Sequence, residues 1–291
     1  MTSMIVAGVD GLRGGRDAVA LGAALASADD ADLLLTGVWQ ETLLPLPALM
    51  GPETHAWERT EQMLLQTRAA QAPRAITRPL SSLSPPKALC RVATLEHAST
   101  IAIGSASTAP VGHVRAGRDA QHVIHDAPCA AAIAARGLHE QPFAIGSIVV
   151  GVDGGPESDA ALAVAAHLAE GLGVRLTAVA VVEDRVDHRG RFAPSGNGHQ
   201  PSAPALDGAT VERVVTEARE RDGVTAAEVR QGDAAAELAR AAADADLLVL
   251  GSRHHGPIAR VTLGSVGHRL TADAPCSLLL VPGAEEGVDG G

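Results

Sequence analysis

IVAGVDG at 5–11 returns as IVVGVDG at 148–154, and DAPC at 126–129 returns as DAPC at 273–276. The first pair is offset by 143 residues and the second by 147. Between them STIAIGS (99–105) answers to DLLVLGS (246–252), and Gly117 answers to Gly264, both at 147. One unit is therefore written twice. The offset grows from 143 to 147, so the second copy gains a net four residues before its fourth strand. The junction falls near Arg136–Gly146, which sets one domain at 1–137 and a second at 146–283.

Each copy alternates strand and helix. In the second, Ser147–Asp153 reads as a buried strand that ends in an acid and is followed by glycines. Helix is expected over Ser158–Glu170, from Leu162, Ala165, Ala166 and Leu168, and over Leu206–Arg221. Strands are expected at Arg175–Val182, Thr225–Arg230, Asp246–Leu250 and Ser277–Val281. Asp233 suits the cap of an alanine-rich helix reaching Ala243, and Thr262–Asp273 reads as the last helix. Strands joined by helical crossovers predict an α/β fold, with two tandem, doubly wound, five-stranded, mainly parallel sheets flanked by helices. The stretch 184–205, rich in Pro, Gly and charge, reads as a mobile loop, and 284–291 as a flexible tail.

The 291 residues include 56 alanines but only 1% aromatics, so small side chains must pack closely, as helices do on a parallel sheet. Lys87 is the single lysine, and the net charge is −11. That balance and the lack of rings for base stacking exclude a general nucleic-acid binder. No apolar run approaches the roughly 18 residues of a membrane span. The opening MTSMIVAGVD has no basic n-region, and Cys90, Cys129 and Cys276 suit a reducing compartment, so a cytoplasmic location is expected.

Ligands of an open parallel sheet bind beyond the carboxyl ends of its strands, at the switch point. Asp153 and Gly251 both reach that edge in the second copy. From Gly251 the chain reads GSRHHGPIARVTLGSVGHRL and is expected to leave the strand through a glycine-containing loop, then enter a helix near Leu263–Val266. Glycines and a helix N-terminus present N–H donors to an anion, and Ser265 adds a hydroxyl.

These residues resemble the universal stress protein family, over nearly the whole chain. Its nucleotide-binding members carry G-x2-G-x9-G-[ST] after the fourth strand, an Asp ending the first, and a DAPC-like run before the fifth. Gly251, the nine residues His255–Leu263, and then Gly264 and Ser265 fit that spacing. The resemblance implies ATP or a related adenine nucleotide, with or without Mg2+, held mainly by the second domain. By position, Val152 and Asp153 would meet adenine and ribose, and Val181 adenine. Gly251 would approach the ribose, and Gly264, Ser265 and Val266 the phosphates. Arg253 enters as a phosphate contact on charge alone, and Gly256 as a supplier of loop flexibility. The family's second glycine is His254 here. The first domain departs further, with Ser107 at the second glycine and Arg118 where Ser or Thr should follow Gly117. The resemblance also implies an intramolecular pseudo-dimer through Ala130–Ala134 and Ser277–Val281, with a homodimer allowed.

Other signals are weaker. DGGPESD (153–159) fails the SGGxDS pattern of ATP pyrophosphatases at both chemical positions. RHHGP (253–257) lacks the spacing of a nucleotidyltransferase HxGH. His122 and His125 read as solvated helix positions, His188 and His199 as isolated loop residues, and Glu183 and Asp184 as loop charges. No general base for hydrolysis is evident, so no enzymatic activity is expected beyond, at most, slow ATP hydrolysis. The function expected is a stress-response protein that binds an adenine nucleotide as ligand or sensor. The alternative is a nucleotide-free scaffold of the same fold.

Overall fold

The computed structural model describes residues 3–39, 56–182, 208–254 and 261–283. The expected loop at 184–205, the tail at 284–291 and Gly256 lie outside the described residues. The first copy runs β1 (Met4–Gly8), α1 (Arg13–Asp29), β2 (Asp32–Trp39), α2 (Ala56–Gln71), β3 (Ile76–Ser81), α3 (Pro85–Leu95), β4 (Thr100–Gly104), α4 (Arg118–Asp126) and β5 (Ala130–Ala134). The second runs β6 (Ser147–Val152), α5 (Pro156–Leu172), β7 (Arg175–Val182), α6 (Gly208–Arg219), β8 (Ala226–Gln231), α7 (Ala234–Ala241) and β9 (Leu247–His254). It continues with β10 (Val261–Thr262), α8 (Ser265–Ala272) and β11 (Ser277–Pro282).

The fold class is α/β with parallel pairing inside each copy, but the two expected sheets are one. The strand order is β3-β2-β1-β4-β5-β11-β9-β6-β7-β8, with β10 beside β9. β5 and β11 join the halves antiparallel, pairing Leu278 with Ile133, Leu279 with Ala132, and Leu280 with Ala131. Ala132 and Leu279 are separated by 279 − 132 = 147, the repeat offset, so the register reads the same from either copy. Both strands are apolar on both faces and would make poor exposed edges; pairing removes that liability. The alanines of β5 also leave room for the leucines of β11.

Two apolar layers result, each continuous across the join. One face gathers Leu21, Leu35, Ala161, Ala165, Val211 and Leu279, beneath α1, α2, α5 and α6. The other gathers Leu89, Val123, Ile133, Leu238, Leu270 and Leu280, beneath α3, α4, α7 and α8. Small residues set the spacing within them. A β-carbon at Gly22 would already touch Leu33, Ala102 and Ala7.

Local chemistry explains the helix limits. Pro156 opens α5, Glu157 and Asp159 lie in its first turn, and Gly173 ends it in the left-handed conformation at φ 66°. Asp233 caps α7 by accepting the Ala236 N–H, as expected from sequence. Between the copies, Gly137 (φ 87°) starts a 3-10 turn over Leu138–Glu140. The buried Asp17 of α1 holds this turn, accepting N–H groups of Gly137 (3.0 Å) and His139 (2.9 Å), with His139 Nδ1 at 2.5 Å. Among the described residues no helix is long and apolar enough to cross a membrane.

The expected strand end at Leu250 and helix start at Thr262 are both corrected. β9 continues through Gly251 to His254, where β10 pairs with it antiparallel (Val261 with His254, Thr262 with Arg253), and α8 starts at Ser265. The extra hydrogen-bonded partner extends the strand, and β-branched Val261 and Thr262 suit the short β10 better than a first helical turn.

Candidate functional site

In each copy the first and fourth strands are neighbours and the chain departs from them in opposite directions along the sheet, so the switch point of the second copy lies between β6 and β9. Asp153 follows β6 and is exposed. Its Oδ1 accepts the Gly155 N–H at 2.9 Å, and its own N–H donates to Ser158 Oγ at 3.2 Å. The Ser158 hydroxyl donates in turn to the Gly155 carbonyl at 3.0 Å. This acid therefore anchors the turn from strand to helix while facing solvent. Asp10 does the same in the first copy, accepting from the N–H groups of Leu12 (2.8 Å) and Gly15 (3.2 Å).

Val152 and Val181 reach the same end of the sheet but not one wall. Val152 belongs to the layer beneath α5 and α6, Val181 to the layer beneath α7 and α8, and they are only 6% and 9% exposed. Because neighbouring parallel strands pair Val152 with Ala180, the next residue, Val181, points to the opposite face.

Gly251 has a structural reason to be glycine. A β-carbon there would collide with the Glu157 carbonyl and the Ser158 nitrogen, in the first turn of α5. Gly104 meets Gly14 of α1 in the same way, at the equivalent place in the first copy. Gly264 is different. It precedes α8 at φ −67° and ψ 173°, and among the described residues no side chain caps the helix and no atom beyond its chain neighbours lies within 4 Å of its β-carbon position. Ser265 beside it is exposed, and Val266 is half-buried. Arg253 and His254 are placed here by their backbone alone. Both lie in β9, so the histidine replacing the family glycine occupies extended backbone, which any residue adopts.

One polar pair escaped sequence reading. Arg269 of α8 donates through Nη1 to Asp233 Oδ2. The Arg269 guanidinium, followed by the Ala236 N–H, holds the Asp233 carboxyl below its ordinary value. The pair ties the start of α7 to α8 and spans 36 residues, with no short-range pattern to announce it.

The first copy uses its corresponding segment otherwise. Residues 105–117 fold back on themselves. Ser105 Oγ donates to the Ala134 carbonyl (2.7 Å) and accepts the Arg115 N–H (3.2 Å), and the Ala106 N–H reaches the Arg115 carbonyl (2.8 Å). Ala109, Val114 and Ala116 are buried. Arg118 is exposed at the start of α4, as are His122 and His125 on its surface. Among the described residues no group of three His, Cys, Asp or Glu side chains is arranged to hold a metal.

A five-stranded parallel unit of order 3-2-1-4-5, present twice with its switch-point acid and glycines, defines a tandem protein of the adenine nucleotide alpha hydrolase-like α/β fold. The universal stress protein family model matches residues 1–134 and 145–282. The chain belongs to the universal stress protein family. It is 35% identical over 91 residues to a universal stress protein of Mycolicibacterium smegmatis. That match takes in 31% of this chain and spans 62% of the relative's length. The crystal structure of a universal stress protein from Archaeoglobus fulgidus matches at a TM-score of 0.66 and 17% identity, covering 96% of this chain and 98% of that one. A universal stress protein solved in complex with cAMP aligns with 47% of this chain and 98% of its own, at 19% identity and a TM-score of 0.34.

Proposed function

We propose that this protein binds ATP or a related adenine nucleotide, with or without Mg2+, as a ligand or sensor in the stress response, mainly through its second copy. The observation that carries this reading is the open start of α8. Among the described residues, none fills the place where a β-carbon on Gly264 would stand and no side chain caps the helix, and Ser265 is exposed next to it. Unpaired N–H groups, the positive end of the helix dipole and a hydroxyl donor suit a phosphate. Across the switch point, the exposed Asp153 carboxylate suits a ribose hydroxyl or a hydrated Mg2+. Strand-end backbone at Val152 and Val181 supplies edges for adenine. The two copies work as an intramolecular pseudo-dimer. Among the described residues none at the site is placed as a general base, and binding rather than turnover is the activity proposed.

A nucleotide-free scaffold is the second reading, favoured by the folded 105–117 segment of the first copy. The test is mass analysis of small molecules released from the purified full chain, followed by calorimetric titration with ATP, with Gly264→Val as comparison. Co-purified adenine nucleotide, or saturable ATP binding that Gly264→Val abolishes, supports the nucleotide reading. Neither nucleotide nor saturable binding overturns it in favour of the scaffold.

A further inference from the structure

We infer that His113, Val114, Arg115 and Ala116 of the first copy are positioning residues for the nucleotide site of the second, acting by capping the far end of α8. The inference rests on the nucleotide reading of that site. Helix α8 ends before Pro275, which has no N–H. The Thr271 carbonyl, four residues earlier, therefore has no partner within its own helix. The first copy supplies one: the Ala116 N–H donates to it at 2.8 Å. Two residues back, the Val114 N–H donates to the Ala274 carbonyl at 2.8 Å and forms an antiparallel bridge with that residue. Arg115 Nε points at the Ala272 carbonyl at a long 3.5 Å, placing a cation at the negative end of the helix dipole. His113 Nδ1 lies 3.1 Å from Asp273 Oδ1.

These contacts are braced from behind. Arg115 Nη1 donates to the Thr108 carbonyl at 3.0 Å, and Arg136 Nη1 to the Ala109 carbonyl at 2.6 Å. Val114 is fully buried and Thr271 nearly so. The segment that follows the fourth strand in the first copy thus forms a clasp on the second copy's helix, as β10 of the second copy in turn lies against α4. An eight-residue helix is about 12 Å long, so a clasp on its last carbonyls fixes where its first N–H groups point. Because coupling between two sites is reciprocal, a phosphate held at Gly264–Val266 tightens the clasp as the clasp favours the phosphate.

The experiment compares the full chain with the double variant His113→Ala/Arg115→Ala in titrations with ATP and with adenosine. Both substituted side chains lie outside the proposed binding residues. Removing the His113 and Arg115 side-chain contacts should loosen the clasp, weaken ATP about threefold to tenfold and leave adenosine unchanged, because α8 meets only phosphate. In the unaltered chain, ATP should slow hydrogen exchange at the Val114 and Ala116 amides. ATP affinity equal to the parent's, equal losses for ATP and adenosine, or no change in exchange at those amides overturns the inference. A parent that binds neither ligand overturns the nucleotide reading, and this inference with it.

Discussion

The carbonyl of Ala28 in α1 lies against the α-carbon of Gly171 in α5, in the place a β-carbon at 171 would take. These are equivalent positions, since 171 − 28 = 143, so the two first helices cross where the repeat maps onto itself. Gly171→Ala should therefore force the helices apart. The collision is with backbone, which has no rotamer to yield. The small gain in helix propensity near a helix end does not offset overpacking that costs about 1–3 kcal/mol. The expected result is a lower urea midpoint with an unchanged slope; a midpoint equal to or above the parent's would contradict this packing.

Asp17 is 1% exposed and accepts from two backbone N–H groups, with the His139 ring beside it. The equivalent position in the second copy, 17 + 143 = 160, is Ala160, so only the first copy grips the connection in this way. Asp17→Ala should cost about 3 kcal/mol in urea unfolding, because buried donors lose their acceptor. Asp17→Asn keeps one acceptor oxygen and should fall between. A loss below about 0.5 kcal/mol for the alanine variant would place the linker's stability elsewhere.

The three cysteines should be silent in the folded chain. Burial, the largest cause in each case, raises the Cys90 thiol to about 11 and Cys129 and Cys276 each to about 12, from an ordinary 9.0. Nearby negative charge adds to this at Cys90 from Asp126 and at Cys276 from Asp246. At pH 8 the thiolate, the reactive form, is then about one part in a thousand or less. A disulfide-exchange reagent should leave all three unmodified at pH 8 and titrate all three in denaturant. Raised values also set a sign. The stability they confer is intact below about pH 9 and is lost as pH rises through about 11–12. Rapid native modification at pH 8 would refute the burial.

Asp233 supplies the acid counterpart. Its carboxyl is held low chiefly by the Arg269 hydrogen bond, so its contribution is present above the ordinary aspartate range and lost as pH falls through the lowered value. The pair is about half exposed, and its ionic part is small. The cap is the larger share. Asp233→Ala should cost about 1 kcal/mol, and Asp233→Ser should recover most of that without restoring the acid-range dependence. An alanine variant with the parent's acid unfolding curve would disprove the assignment.

The sequence made the repeat, the alternation of strand and helix and the switch-point edge legible, because periodicity and the matched glycines are local and counted along the chain. Gly251 and Gly264 looked alike there, as two glycines of one motif. They differ only in space, where one is pressed by Glu157 and the other meets none of the described residues beyond its chain neighbours. The Ala116 to Thr271 hydrogen bond and the Asp17 clamp join residues far apart in sequence, and nothing in the spelling GSASTAPVGHVRAGRDA marks a segment that grips the other copy. The join between β5 and β11 was implied by the family resemblance and not by the residues themselves. Apolar patterning shows that β5 and β11 are buried but not what buries their edges.

The contrast between those two glycines gives a paired experiment. Gly251→Ala puts a methyl group into the backbone of α5's first turn, so it should destabilise the chain by about 3 kcal/mol or more through packing alone. Gly264→Val adds bulk where nothing among the described residues beyond its chain neighbours lies within 4 Å and the backbone is ordinary, at φ −67°. It should change stability by about 1 kcal/mol or less while removing ATP binding, because the new side chain stands where the proposed site would take the phosphates, at the start of α8. Chemical unfolding and ATP titration of both variants separate the two roles. If Gly264→Val unfolds as readily as Gly251→Ala, the space before α8 is occupied by the fold rather than kept for a ligand. If it is as stable as expected and still binds ATP like the parent, the phosphates are held somewhere other than the start of α8.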